Sequence, residues 1–223
     1  MFDLISEYDS QILQAFWVTI KLTLFSAVGA LILGTIVAAM RVSPIPVARW
    51  LGTAYVTIFR NTPLTLIIVF CSLGLYSALG WKLAGDSIAD NNYRWAIVGL
   101  SVYTAAFVCE SLRSGINTVP LGQSEAGRSL GFSFSQNLRL VVLPQAFRSV
   151  IAPLGSVLIA LTKNSTIAAA IGVAEAAHLM AEMIETEAAL LAIGAIFAFG
   201  FVLITLPTGL LFGWLAKRYE VAR

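Results

Sequence analysis

The chain has 223 residues, of which 58% are hydrophobic and 12% charged, with a formal net charge of +2 and a mean hydropathy of +0.85. A soluble domain carries about twice that share of charge, so the composition excludes one and fits a polytopic membrane protein. So small a net charge, with no basic run, also excludes a nucleic-acid binder.

The N-terminus, MFDLISEYDSQ, is acidic where a cleaved signal peptide would be basic, so the first apolar stretch is expected to be a retained helix. Apolar stretches of about 20 residues span a bilayer as helices. They predict spans over 16–40, 61–81, 95–112, 144–162 and 188–216. The apolar piece 164–174 is too short to cross and reads as a re-entrant segment. Arg41, Arg49 and Arg60 fall between spans one and two, and Arg113, Arg128, Arg139 and Arg148 between three and four. Lys217, Arg218 and Arg223 close the chain. Basic residues favour the cytoplasmic side, which gives five spans with the N-terminus outside and the C-terminus inside. Ala30 with Gly34, and Gly209 with Gly213, sit at a spacing that permits close helix approach. Cys71 and Cys109 lie in apolar segments and read as small core residues.

Charged and polar groups at membrane depth are the candidate functional residues. Arg60-Asn61-Thr62-Pro63 opens span two, with Pro63 suited to a helix start and Thr62 able to cap. Arg60 is either an anchor on the cytoplasmic side or part of a translocation path. Glu110 is spaced for an intrahelical pair with Arg113; the alternative is an interhelical pair with Arg60 or Arg148. Lys163 ends span four and is followed by Asn164, Ser165 and Thr166. A helix broken there would expose backbone and side chains to a cavity. Lys163 then meets a substrate carboxylate, snorkels to the outer headgroups, or pairs with an acid such as Glu110. His178 has no partner at metal spacing and reads as an ordinary surface or core histidine. Glu175, Glu182, Glu185 and Glu187 read as a solvated outer face, or as one that meets a basic rim on a partner.

The longest cytoplasmic connection, about 117–144, contains SEAGRSLGFSFSQNLRLVVLP. Ser124 is expected to cap a short helix with Glu125 near its positive end, carried on by Ala126, Arg128 and Leu130. Gly131 is expected to end it as a left-handed residue, and a second helix to follow Phe132 and Phe134 from about Ser135 into Leu143-Pro144. Physics alone leaves two readings: a helix across the mouth of the bundle offering apolar groups to a partner, or an amphipathic connector on the lipid surface.

The spacing Glu125-Ala126-Gly127, then Gly131, then nine residues and Val141-Val142-Leu143-Pro144 resembles the EAA loop of ABC importer permeases. Gly127 stands where that pattern has Ala. Val119 to Gln123 before the loop, Pro144 to Arg148 after it and Glu110-x-x-Arg113-x-Gly115-Ile116 are similar to the polar amino-acid branch of that family. So are Arg60-Asn61-Thr62-Pro63 and Lys163-Asn164-Ser165-Thr166. Asn61 and Asn164 depart from the wider branch and fit its glutamate-type members from actinobacteria.

The resemblance implies an all-α membrane protein of the type I ABC importer permease fold in the bacterial plasma membrane, one permease domain over 1–223. Ser124 to Arg128, Leu130 to Phe132 and Pro144 would form the element that couples to the ATP-hydrolysing subunit. It also implies a second permease subunit (a paralogue), an ATPase dimer holding ATP and magnesium, and an extracytoplasmic amino-acid-binding protein. The chain has no GxxxxGK[ST] loop, and none of its four lysines follows a glycine, so it is expected to bind no cofactor and to hydrolyse nothing itself. The substrate expected is L-glutamate, with glutamine, aspartate or a basic amino acid as alternatives. A secondary transporter would show internal repeats and midplane acids, and a scaffold or channel subunit leaves the loop spacing unexplained.

Overall fold

The computed structural model describes residues 2–219; Arg223 lies outside them. The first helix, α1, runs Phe2–Val42, well before the predicted start at residue 16. At 1.5 Å per residue it is about 60 Å long, twice the hydrocarbon thickness, so its N-terminal third stands clear of the outer face. There Leu4, Ile12 and Ala15 pack on the later helices α8, Ala176–Glu187, and α9, Leu190–Tyr219, through Leu179, Met183, Ile193 and Phe197. The acids of 2–15 hid this part from a hydropathy reading, because it is an outside helix and not a span.

Span two is not the straight segment 61–81. It is a pair, α2 over Pro46–Asn61 and a second arm over Leu64–Ala78, bent by 102°. The second arm begins as α3, Leu64–Val69, and widens into a π-helix, Phe70–Ala78. The residue before a proline is pushed out of helical conformation, and Thr62 is extended, at φ −97° and ψ 130°. Thr62 does not cap the second arm. Its hydroxyl donates back to Ile58 O at 2.8 Å, and the cap position belongs to Pro63.

Helix α4, Ile88–Asn117, is the central post and extends past both ends of the predicted 95–112. Helix α1 lies directly on it. A Cβ at Gly29 would come within 2.5 Å of Ser101 Oγ, and one at Gly34 within 2.7 Å of Val108 Cβ, so bare backbone permits the contact. Ala30 is buried between them. Gly209, by contrast, makes only an ordinary contact with Ile159, and Gly213 faces open space. The core joins Leu22, Leu64, Ile68, Ala96, Leu100, Leu161 and Ala168.

The second half of the cytoplasmic connection and span four form one helical rod, Phe134–Ile171. It comprises α6, Phe134–Asn137, a π-helical stretch Leu138–Val142, α7, Leu143–Asn164, and a 3₁₀ stretch Ser165–Ile171. The wide turn falls just before Pro144, whose ring cannot follow an ordinary helical turn, and the Gln145 side-chain amide donates to Val141 O at 2.8 Å. The re-entrant segment is therefore the tightened outer end of the rod, closed by Gly172 at φ +75°. Asn92 fixes that end: its amide donates to Ile171 O at 2.8 Å and its oxygen accepts from Ser72 Oγ at 2.8 Å.

Among the described residues four helices are long and apolar enough to cross a membrane, and the bent pair, taken as one broken span, makes a fifth. Arg41 in the last turn of α1, Arg113 near the end of α4 and Lys217 and Arg218 in the last turn of α9 mark the cytoplasmic end.

One acid departs from the expected solvated outer face. Glu182, Glu185 and Glu187 are exposed, but Glu175 is wholly buried. It caps α8 by accepting from the His178 amide at 3.0 Å, and takes a hydrogen bond from Thr19 Oγ1 at 3.2 Å. Burial pushes its carboxyl above the usual carboxylate range, partly opposed by the amides of Ala177 and His178. The folded chain then keeps a proton that the unfolded chain releases. Stability therefore falls as pH rises from the unfolded value, about 4.3, through the raised folded one, and stays lowered above it. Glu175→Gln should melt at a higher temperature than the parent at pH 7.5 in detergent, with the gap shrinking by pH 5; a gap that grew on acidification would contradict this account.

Candidate functional site

Two regions of the bundle carry the polar groups singled out in the sequence. The first is the short cytoplasmic helix α5, Leu121–Ser129, which starts from Pro120 and not from Ser124. Ser124 therefore lies inside the helix and Glu125 beyond its first turn, so neither acts at the N-terminus as expected. The end does match expectation. Gly131 is left-handed, at φ +85°, with Gly131 N–H donating to Arg128 O at 2.9 Å and Phe132 N–H to Gly127 O at 3.1 Å, the paired bonds of a Schellman closure. Ser133 and Gln136 then cap α6 reciprocally, so the connection is a defined elbow between two helices.

Asn137 holds the elbow together. Its buried amide donates to Ser124 O at 3.0 Å and to Ser124 Oγ at 2.7 Å. Its oxygen occupies the space a side chain on residue 127 would need, 2.3 Å from where a Cβ would stand. Glycine at 127 is therefore the room that Asn137 requires. The opposite face of α5 is open: Leu121 is 80% and Leu130 77% exposed, with Glu125, Ala126 and Arg128 between them also exposed. Gln123 accepts from Gln145 at 2.8 Å, which ties α5 to the foot of α7 just past Pro144.

The second region is a polar pocket of about 360 Å³ at the break in span two, lined by Arg41, Val56, Thr57, Arg60, Asn61, Phe107 and Glu110. Glu110 forms the expected pair with Arg113, at 3.0 Å, and also a second, interhelical one. That partner is Arg41 of α1, not Arg60 or Arg148. Arg60 lies with its guanidinium carbon 5.5 Å from the centre of the Phe107 ring, a favourable cation–π distance. Phe107 is one helical turn from Glu110 on α4, so Arg60 lies level with the Arg41–Glu110 pair, towards the cytoplasmic end of the bundle. Asn61 donates to Thr57 O at 2.7 Å. Two arginines against one carboxylate leave the pocket net positive.

Lys163 is exposed at the end of α7, and its ammonium meets no hydrogen-bonding or ionic partner among the described residues. The neighbouring hydroxyls are turned back on their own helix: Ser165 donates to Thr162 O at 2.7 Å and Thr166 to Lys163 O at 2.7 Å. The helix tightens here and does not break, and the half-buried Asn164 stays within it. Helix α3, which follows the Arg60–Thr62 segment, packs on the 3₁₀ stretch, but Lys163 is not in the pocket of Arg60. Sequence reasoning gave Arg41 a place on the cytoplasmic side but no partner, and gave Asn92 and Asn137 no role. Each acts through a partner 13 to 79 residues away, which no local pattern reveals.

A five-span bundle with a polar break in one span and a stiffened helix on its cytoplasmic end is the membrane subunit of a transporter. Residues 30–221 match the family described as binding-protein-dependent transport system inner membrane component, and the chain belongs to that family, as a multi-pass protein of the bacterial plasma membrane. It is similar to the glutamate transport system permease protein GluC of Corynebacterium efficiens, 56% identical over 98% of both chains, and to that of Corynebacterium glutamicum, 54% identical over 98% of both. The probable glutamine ABC transporter permease protein GlnM of Bacillus subtilis is 35% identical over 99% of this chain and 96% of its own. Among solved structures, an amino acid ABC transporter crystallised with histidines superposes with a TM-score of 0.86 at 24% identity over 98% of both chains. An inward-facing MetNI methionine ABC transporter gives 0.77 at 18% identity, over 96% of this chain and 99% of that one. These two likenesses concern the fold.

The elbow makes a specific prediction. Gly127→Ala should displace Asn137 and loosen α5, raising the rate of tryptic cleavage at Arg128 at least about fivefold, the effect of an overpacking cost of 1–3 kcal/mol. Adding Asn137→Ala should recover most of that. An unchanged rate in the single variant would show that the close approach does not hold the elbow.

Proposed function

We propose that this chain is a permease subunit of an ATP-driven importer of L-glutamate. The observation that carries the substrate is the 56% and 54% identity, over nearly the whole chain, to permeases named for glutamate transport. The pocket at the break supports it: Arg41 and Arg60 against Glu110 complement an amino acid with two carboxylates and one ammonium. Arg60, Asn61 and Thr62 at the break form the inner part of the path, and Lys163, Asn164, Ser165 and Thr166 stand nearer its outer end.

The open face of α5 docks on an ATPase subunit through Glu125, Ala126, Arg128 and Leu130. Ser124 and Gly127 hold its inner face to Asn137, Gly131 and Phe132 form the elbow, and Pro144 starts the rod that carries the movement upward. A dimer of such ATPases holds the ATP and magnesium. This chain, with no phosphate-loop motif, hydrolyses nothing by itself. A paralogous permease completes the pathway and a binding protein delivers the substrate from outside. ATP and substrate drive the cycle only through their unequal affinities for the inward- and outward-open states.

The test is uptake of labelled glutamate into proteoliposomes containing both permeases and the ATPase, with the binding protein added. Uptake should require ATP, ignore sodium and proton gradients, and be competed by aspartate more than by glutamine. Gradient-driven uptake without ATP would discard the importer, and preference for glutamine would discard the substrate. Gly131→Asp, which forces a side chain into a left-handed position at a cost of about 1–2 kcal/mol and adds charge to the elbow, should leave the spans inserted but abolish co-purification of the ATPase. Arg60→Gln should retain the ATPase and cut glutamate uptake about tenfold or more, as expected for loss of a charge-assisted hydrogen bond; unchanged uptake would remove Arg60 from the path.

A further inference from the structure

A second cavity, of about 700 Å³ and almost entirely apolar, opens between α1 and α7 with α4 as its floor. Its walls include Leu31 and Val42 of α1, Leu112 of α4, Leu143 and Leu154 of α7 and, at one end, Phe134 of the elbow. The groove has a direction and a length. Both Leu31–Val42 and Leu143–Leu154 cover eleven residue steps, about 16 Å of helix. Half of a 30 Å hydrocarbon core is about 15 Å. The groove therefore runs from the cytoplasmic helix ends to the bilayer midplane, the depth of one leaflet.

Its cytoplasmic rim is basic. Ser43 and Pro44 line it, and the Arg49 guanidinium stands 3.5 Å from Ser43 O. Arg139 adjoins the lining residue Leu138 at the elbow end of the groove, is exposed, and has no ionic partner among the described residues. Glu110, the acid of α4 at this end, is already engaged by Arg41 and Arg113.

We infer that this groove binds an anionic phospholipid of the cytoplasmic leaflet, one acyl chain lying between α1 and α7 and the phosphate headgroup at Arg49 and Arg139. The length of the groove selects a lipid chain, and the unpaired cations at the rim select a negative headgroup. Because Phe134 and Leu138 form part of the wall, the bound chain braces the elbow against α1. The inference rests on the span topology and not on the identity of the transported substrate.

The test uses the complete transporter complex in vesicles of equal parts phosphatidylglycerol and phosphatidylcholine, extracted into mild detergent, with the retained lipid identified by native mass spectrometry. The parent complex should retain phosphatidylglycerol at least fivefold over phosphatidylcholine. Arg49→Gln and Arg139→Gln combined should bring that ratio close to one while lipid is still held. Ala39→Trp, at an exposed position in the groove wall, should lose the retained lipid while the complex elutes intact. Equal retention of the two lipids by the parent would overturn the proposal. So would retention unchanged in an intact Ala39→Trp complex, or a cysteine at 39 that cross-links to an apolar helix of the second permease subunit.

Discussion

The architecture depends on how closely α1 can approach α4. In a bilayer the hydrophobic effect gives one helix no reason to prefer another over lipid, so association rests on packing at short range. Gly29, Ala30 and Gly34 bring the backbone of α1 against Ser101 and Val108, and the remaining elements lean on the pair so formed. The broken second span lies along it, α7 packs on α4 beside α1, and α8 and α9 close against the projecting end of α1.

On that pair sits an ion network. Arg41 reaches from α1 to Glu110 of α4, and Arg113 shares the same carboxylate. A charge placed alone at this depth is costly, so each group is tolerated because the others are there. Pro63 adds the second constraint: it obliges the chain to leave helical conformation just after Arg60 and Asn61, which line the polar pocket. Backbone that is not helical survives inside a membrane only where protein or water can meet its polar groups, and the polar pocket at the break meets that requirement.

The spans, their orientation and the left-handed end of α5 could be read from the sequence, because each depends on a local signal: hydropathy, arginine placement, or a glycine after a polar helix. The loop was recognisable by its spacing. What escaped reading was decided by contacts between distant residues. The helix 2–15 is polar yet ordered, because α8 covers it. Glu175 looks like one of four surface acids, but Thr19, 156 residues earlier, turns it inward. Glu110 carried the right intrahelical partner in sequence, while Arg41 became its second partner only when α1 met α4. The start of α5 lies at Pro120, which suits the entry to a helix, and Ser124 bonds Asn137 within the helix instead of capping it.

The uninterrupted rod Phe134–Ile171 has a mechanical meaning. Its 38 residues measure about 57 Å at 1.5 Å per residue, from the cytoplasmic elbow to the outer pin at Asn92. Tilting so long a lever by one degree sweeps its far tip through about 1 Å. If the proposed docking pushes the elbow, the stiffness of the joint at Leu138–Val142 sets the gearing: a rigid wide turn would pass a small push to the outer face at full stroke, whereas a soft one would dissipate it within a single turn of helix.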